Sequence, residues 1–196
     1  MRLKQTFAGA ALALALPFCA HAGMPGMKGA HHVGITVPDM RDAVRFFVDV
    51  IGCEESIELG AFKFADDWMT VHLNVDPRAE IRRFQMVRCG HGINVEIFEY
   101  AAPGQSATLP RNSDIGGHHL AFYVEDMDKA VAYLRAKGVR VLGSPSTFKD
   151  GPAAGLTWMY FLAPWGLQLE IVSLPGGMAY EKTMKPLLWD PRYPDR

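Results

Sequence analysis

The sequence predicts an α+β protein made of two tandem modules, each with one strand, one helix and then three further strands. Three observations support this fold class. A strand pattern followed by a helix start occurs twice, a second strand pattern containing a glutamate also occurs twice, and a segment rich in Pro, Gly and Ser joins the two copies. A length of 196 residues is sufficient for one compact domain or two small ones.

The first repeated segment places a histidine at the head of a strand. The stretch HVGITV at residues 32–37 matches HLAFYV at residues 119–124, an offset of 87 residues. Asp39 and Asp126 follow at the same offset, and an Asp carboxylate there can accept hydrogen bonds from the free amides of a helix's first turn. Apolar residues at helical spacing then predict two helices, at residues 39–51 and 126–137.

The second repeated segment places a glutamate within a strand. The stretch GINVEIF at residues 92–98 matches GLQLEIV at residues 166–172, an offset of 74 residues. Because 87 minus 74 leaves thirteen, the first copy contains a net insertion of thirteen residues, which we place near residues 56–80. The resulting strands are expected at 31–37, 53–59, 81–89 and 93–100 in the first module, and at 118–124, 139–143, 156–163 and 167–173 in the second.

The segments outside the modules have their own predicted roles. Residues 1–22 combine two positive charges, a twelve-residue apolar run and an Ala-His-Ala site, which together are typical of a secretory signal peptide. We expect cleavage after Ala22 and a periplasmic or secreted protein. The first module is assigned to residues 30–102, a linker to 103–117, the second module to 118–174 and a C-terminal tail to 175–196.

Composition and motifs argue against several classes of protein. The net charge is −1 and the basic residues are scattered, so neither a nucleic-acid surface nor, after signal cleavage, a membrane partner is expected. Nucleotide-binding glycine loops, C-x-x-C and the G-x-S-x-G turn do not occur in the sequence. Cys53 and Cys89 are expected to be two buried thiols, with a disulfide as the alternative in an oxidising compartment.

Strand parity places the repeated His and Glu on one face of each sheet. Successive side chains of a strand point to opposite faces, so His32 and Glu96 lie opposite the apolar residues that a helix would cover. His119 and Glu170 repeat this placement in the second module. If the two sheets close on each other, these four side chains converge in a cavity. Imidazole and carboxylate groups bind Zn, Ni, Fe or Mn, so we predict one divalent metal ion there.

These motifs resemble the vicinal oxygen chelate superfamily, which includes glyoxalase I, methylmalonyl-CoA epimerase, fosfomycin-resistance proteins, bleomycin-binding proteins and extradiol dioxygenases. The resemblance rests on the two His-headed strands and on FLAPWGLQLEIVS, and it covers about residues 30–174. It implies an open, cavity-lined barrel around one metal bound by His32, Glu96, His119 and Glu170. The order His, Glu, His, Glu is similar to that of glyoxalase I, whereas epimerases of the family often have Gln in place of Glu96.

The resemblance also implies a metal-dependent lyase or isomerase that acts on a small, oxygen-chelating substrate. In this interpretation the metal acidifies a C–H beside a carbonyl, and Glu170, with Glu96 as its counterpart, transfers the proton. One alternative is extradiol ring cleavage by Fe(II) bound to His32, His119 and Glu170. Another is a protein that binds a small ligand without turnover. The modules pair either within one chain or across a homodimer, because relatives do both.

Several nearby residues receive other roles. His31 and His118 are expected to be structural. His72 and His91 have no counterpart in the other module and are expected on the surface or in loops. Glu99 is expected on the face opposite Glu96, in contact with solvent, and Phe98 and Tyr123 are expected to line the cavity.

Overall fold

The structure is a computed structural model that describes residues 24–195. Residues 1–23, which contain the predicted signal peptide, and residue 196 lie outside the described part. Residues 24–30 belong to one compact unit, in which the Met27 amide donates to the Met24 carbonyl at 3.2 Å, and residues from His31 onward form a second unit. Among the helices of residues 24–195, none combines the length and apolar composition that a membrane crossing requires.

The second unit begins with a four-stranded mixed sheet. The strands lie in the order β1-β4-β3-β2; β1 runs parallel to β4, and the other neighbours are antiparallel. In chain order the elements are β1 (His32–Thr36), α1 (Met40–Phe46), a π-helical turn (Phe47–Ile51), β2 (Glu54–Leu59), α2 (Trp68–Leu73), β3 (Glu80–Arg88) and β4 (Asn94–Ala101).

The second sheet repeats this arrangement. Its strand order is β5-β8-β7-β6, with β5 parallel to β8. In chain order its elements are β5 (Leu120–Tyr123), α3 (Met127–Ala136), β6 (Arg140–Thr147), β7 (Thr157–Leu162) and β8 (Gln168–Ser173). The predicted α+β class, with two modules of the same strand order, is therefore confirmed. The two sheets remain separate and do not close into one continuous barrel.

The helix starts follow from the repeated aspartates. The Asp39 carboxylate accepts a hydrogen bond from the Asp42 amide, and the Asp126 carboxylate accepts one from the Lys129 amide, each at 3.0 Å. These bonds satisfy amides that have no partner within the first helical turn, and they lower the pKa of both aspartates. Gly52 then ends the first helical segment with φ of 87°, a conformation that favours glycine.

Glu99 corrects one expectation. It lies on the helix side of the first sheet, as parity predicts, but it is partly buried, and its Oε2 accepts a hydrogen bond from the Met40 amide at 2.9 Å. The expectation that Glu99 is solvated is wrong, because this carboxylate supplies a second cap for the first turn of α1.

One hydrophobic core lies on the helix side of both sheets and is shared by the two modules. It includes the fully buried Phe47 and Ile97 of the first module with Phe161 and Leu169 of the second. Burial of this apolar surface stabilises the pairing of the modules within the chain. Because the helix-side faces are used in this way, the opposite faces, which carry His32, Glu96 and Glu170, point away from the shared core.

A disulfide joins Cys53 and Cys89, with a Cα–Cα distance of 4.2 Å. Cys53 lies directly before β2 and Cys89 directly after β3, and these strands are antiparallel neighbours, so the two cysteines meet at one end of the strand pair. The expectation of two free thiols is therefore wrong.

The C-terminal tail folds back onto the end of β8 through one arginine. Arg192 donates hydrogen bonds to the Leu174 carbonyl, to the Asp190 carboxylate and, at 3.3 Å, to Glu181. These contacts give the tail a fixed course although its sequence has no helix or strand periodicity.

Candidate functional site

The first predicted pair of ligands lies on adjacent strands. His32 is the first residue of β1, and Glu96 lies on β4 directly opposite Gly34. The His32 Nε2 atom is 3.4 Å from the Glu96 Oε2 atom. A Cβ atom at position 34 would lie only 3.3 Å from the same oxygen, so the glycine leaves room for the carboxylate. We refer to His32 and Glu96 as the first His–Glu pair.

The second pair repeats this geometry. His119 directly precedes β5, Glu170 lies on β8 opposite Ala121, and the His119 Nε2 atom is 3.1 Å from the Glu170 Oε2 atom. The Glu170 side chain is 12% exposed and the His119 side chain 32%. Burial raises the pKa of Glu170, while the charge of His119 and its hydrogen bond act in the opposite direction. We refer to His119 and Glu170 as the second His–Glu pair.

The two pairs do not come together within one chain. Across residues 24–195, no group of three or more His, Cys, Asp or Glu side chains is arranged to hold a metal ion. The sequence therefore identified two pairs whose members are in contact. Their assignment as four ligands of one metal stays a prediction.

Each histidine has a further contact that differs between the pairs. The Nδ1 atom of His119 is 3.0 Å from Oδ1 of Asn112, which belongs to the predicted linker. The Nδ1 atom of His32 is instead 2.8 Å from Nδ1 of His31, a residue for which we expected a structural role. Sequence analysis missed Asn112, because a loop residue without periodicity gives no indication of its partner.

Two aromatic rings lie beside the second pair. The Tyr160 ring lies 5.1 Å from the His119 ring, edge to face, and Tyr160 is the cross-strand neighbour of Glu170. The Trp158 ring lies 5.1 Å from Tyr160 on the same strand face. Sequence analysis did not single out these two residues, although alternation along β7 places them on the face of Glu170.

The first pair is bordered by an apolar cluster that contains the insertion. Phe98 lies on the Glu96 face of β4 and belongs to a second hydrophobic cluster with Tyr100 and the buried Met69 of α2. Helix α2 therefore packs over the end of this sheet face. Burial and the negative charge of Glu96 raise the pKa of Tyr100. His72, also on α2, stacks on Trp68 with 4.5 Å between ring centroids.

A cavity of about 610 Å³ lies between the modules, on the core side. His91, His119, Tyr123 and Trp189 are among the residues that line it, together with both faces of β5. Of the four predicted ligands, His119 alone lines this cavity within the described residues. Tyr123 lines this space, and burial raises its pKa. Glu170 is not among the lining residues, so the cavity reaches the second His–Glu pair at His119 only, within the described part of the chain.

Comparison with known proteins places this geometry in a family. Residues 31–160 match the model of the Glyoxalase/Bleomycin resistance protein/Dioxygenase superfamily. A protein named 2-epi-5-epi-valiolone epimerase, from Actinomyces sp., is 52% identical over 170 residues, which cover 86% of this chain and 92% of the relative.

Two solved structures share the fold. A glyoxalase family protein from Bacillus cereus aligns with a TM-score of 0.60 at 16% identity, over 79% of this chain and all of that chain. The genomically encoded fosfomycin resistance protein FosX from Listeria monocytogenes aligns with a TM-score of 0.50 at 15% identity, over 75% of this chain and 93% of that chain. The family predicted from the two His-headed strands is confirmed: the chain belongs to the glyoxalase/bleomycin resistance protein/dioxygenase superfamily.

Proposed function

We propose that the protein is an isomerase that inverts a carbon centre beside the carbonyl group of a small, oxygen-rich substrate. The observation that carries this proposal is the second His–Glu pair, in which a largely buried carboxylate lies 3.1 Å from an imidazole. Burial raises the pKa of Glu170, as a base that accepts and returns a proton near neutral pH requires. The relative named as an epimerase supports isomerase chemistry over the lyase and dioxygenase chemistry that the resemblance also allowed.

Inversion of a carbon centre uses two groups. A proton removed from one side of a planar intermediate must return from the other side for the configuration to change. Glu96 of the first pair is the counterpart of Glu170 and is the group that we assign to the opposite side. We propose 2-epi-5-epi-valiolone, the compound in the relative's name, as the first substrate to test.

We further propose that a divalent metal ion binds between the two pairs. The donor set, two imidazole nitrogens and two carboxylate oxygens, suits Zn, Ni, Fe or Mn in chemistry. Such an ion, when bound, polarises a substrate oxygen and so acidifies the neighbouring C–H. The geometry of a single chain does not fit the ion, because the pairs remain apart.

A second copy of the chain would bring the four ligands together. The helix-side faces of both modules are buried in the shared core, so the faces that carry the pairs are directed outward. Strands β1 and β5 end their respective sheets, and in the described chain neither has a second strand neighbour. We therefore propose a homodimer in which the first pair of one copy faces the second pair of the other.

Exchange of a substrate hydrogen for deuterium tests the proposed isomerase activity. The wild-type protein, incubated with 2-epi-5-epi-valiolone in D₂O, should introduce deuterium at a carbon beside the carbonyl and form the epimer, as followed by NMR. Glu170→Gln and Glu96→Gln should each lower the rate by about 10²-fold or more, the usual contribution of a proton-transfer group. Glu80→Gln, an exposed carboxylate at the start of β3, is the matched control and should leave the rate unchanged. Wild-type rates in both catalytic variants would overturn the proposal.

Mixed dimers test the shared site. One chain carries His32→Ala with Glu96→Gln, the other carries His119→Ala with Glu170→Gln, and each is inactive alone. If sites form across two copies, refolding them together gives heterodimers with one intact site, and random mixing restores about a quarter of wild-type activity. Sites built within one chain would recover no activity, because every site would contain a broken pair.

We also propose that the protein is exported. The N-terminal pattern supports this, and so does the disulfide, since such bonds persist chiefly in oxidising compartments. N-terminal sequencing of the protein from its native host should begin at Gly23. Retention of residues 1–22 in a cytoplasmic fraction would contradict it.

A further inference from the structure

The cavity of about 610 Å³ between the modules extends to the shared hydrophobic core. Its lining includes Val95, Leu134, Phe161 and Ile171, which are buried members of that core. The volume lies within the range of about 300–1,000 Å³ that is usual for small-molecule sites. Apolar surface that borders open space favours an apolar occupant, because such an occupant releases water from the walls.

One wall of the cavity joins the two modules. The Tyr133 hydroxyl donates to the Val50 carbonyl at 3.1 Å, which connects α3 of the second module to the π-helical turn of the first. Tyr133 and Val50 line the cavity together with Ile51 and Ala130. Because a hydrogen bond of the folded chain holds this wall, the cavity exists before a ligand binds, as is usual for small-molecule sites.

The C-terminal tail contributes an indole ring to another wall. Trp189 lines the cavity although it is 52% exposed. A Cβ atom at position 92 would lie 3.2 Å from this ring, so the absence of a side chain at Gly92 lets the indole pack on the loop before β4. The neighbouring Leu188 amide donates to the Tyr180 hydroxyl at 3.0 Å, which helps to hold the tail in place. The tail therefore places a half-exposed aromatic ring where the ring of a ligand can pack on it.

The cavity contains hydrogen-bonding groups but no permanently charged side chain. Within the described chain, the lining residues include no Asp, Glu, Lys or Arg. His91, His119 and Tyr123 supply imidazole and hydroxyl groups. An ionised ligand would lose water there without meeting an opposite charge, which is costly, whereas a neutral polar group can be satisfied by a hydrogen bond. The lining therefore favours an uncharged ligand.

We propose that this cavity is a binding site for a small, uncharged, mainly apolar molecule that contains a ring. The ring packs on Trp189, and a neutral polar group of the ligand bonds to an imidazole or hydroxyl group of the lining. The site uses neither the two carboxylates nor a metal ion, so it does not depend on the proposed isomerase activity. Because the cavity extends to His119, a bound ligand would lie close to one member of the second His–Glu pair.

Two fluorescent probes with the same ring systems test the class of ligand. N-Phenyl-1-naphthylamine is neutral, and 8-anilinonaphthalene-1-sulfonate has the same rings with an added sulfonate. At about pH 8, where an ordinary imidazole is neutral, the wild-type protein should bind the neutral probe at one saturable site per chain. It should bind the sulfonate at least about tenfold more weakly. Equal affinity for both probes, or no saturable binding of the neutral probe, would overturn the proposal.

Two variants test the wall that Trp189 forms. Trp189→Ala should weaken binding of the neutral probe by about tenfold, since removal of an aromatic ring at a packed contact is typically that costly. Leu188→Ala changes the adjacent residue, which is 67% exposed and does not line the cavity, so this matched control should keep wild-type affinity. Thermal unfolding establishes that both variants are folded. Wild-type affinity in a folded Trp189→Ala would overturn the packing of the ligand on Trp189.

Nuclear Overhauser contacts locate the probe in the unaltered protein. With methyl-labelled wild type, the naphthyl protons should contact the methyl groups of Val95 and Ile171 and the indole of Trp189. The exposed apolar surface of α2, where Val71 is 66% exposed, is another place to which an apolar probe could bind. Contacts to Val71 in place of Ile171 would overturn the proposal. Contacts to Ile171 would support it even if Trp189→Ala fails to fold.

Discussion

Removal of the Cys53–Cys89 disulfide should cost a large part of the protein's stability. The bond closes a loop with a sequence separation of 36 residues. Loop-closure entropy for that length corresponds to about 4 kcal/mol at 25 °C, because the crosslink restricts the unfolded chain. For a chain of this size each kcal/mol shifts the melting temperature by about 2–4 °C, so Cys53→Ala with Cys89→Ala should melt about 8–16 °C lower than wild type.

The assay is denaturant unfolding of residues 23–196 with and without a phosphine reductant. Reduced wild type and the double variant should unfold at similar, lower denaturant concentrations, and the variant should not respond to reductant. Residues 23–196 contain no other cysteine, so their oxidised form should release no free thiol when unfolded. Two titratable thiols per chain, or a wild-type midpoint that does not change on reduction, would refute the reasoning.

Three further predictions concern single positions. Glu170→Gln should raise the free energy of unfolding of the metal-free protein at pH 7, because burial disfavours the charged carboxylate. This gain should be complete above the raised folded-state pKa and should disappear as the pH falls to the ordinary value of 4.5, as measured by denaturant unfolding between pH 4 and 8. Phe161→Ala should destabilise by about 3–5 kcal/mol by the same method, because the ring is fully buried in the shared core; a cost below 1 kcal/mol would contradict the packing. Gly117→Ala should disrupt the turn at residues 111–117, because the added Cβ would overlap the Arg111 carbonyl oxygen, and amide hydrogen exchange in the turn should rise. Unchanged exchange would contradict the close approach of Gly117 to Arg111.

The features predicted from sequence are those that depend on local periodicity. Alternation along strands placed His32 and Glu96 on one face, and the structure brings them to 3.4 Å. The repeated aspartates predicted both helix starts, because the bond from Asp39 to the Asp42 amide spans three residues. The tandem modules followed from these local patterns together with the repeat.

The features that sequence analysis missed depend on contacts between distant segments or on loop geometry. Glu99 caps α1 by accepting a hydrogen bond from Met40, 59 residues away in the chain, and no periodic pattern predicts such a contact. The Cys53–Cys89 bond required the register of two neighbouring strands, which length and composition do not give. Asn112 reaches His119 only because the 111–117 turn has one particular shape, and this shape depends on Gly117.

Helix α2 has a consequence for stereochemistry. It packs against Phe98 on the face of the first pair, whereas no helix follows β6 in the described second module. In the proposed homodimer, a site between the two sheet faces would have an apolar side covered by α2 and an opposite side, without a covering helix, that carries Tyr160. A cyclic substrate would bind between these unlike sides in one orientation, so each carboxylate would contact a defined face of the ring. In the proposed homodimer, the inserted segment would therefore make the two repeat-related sides of the site chemically different.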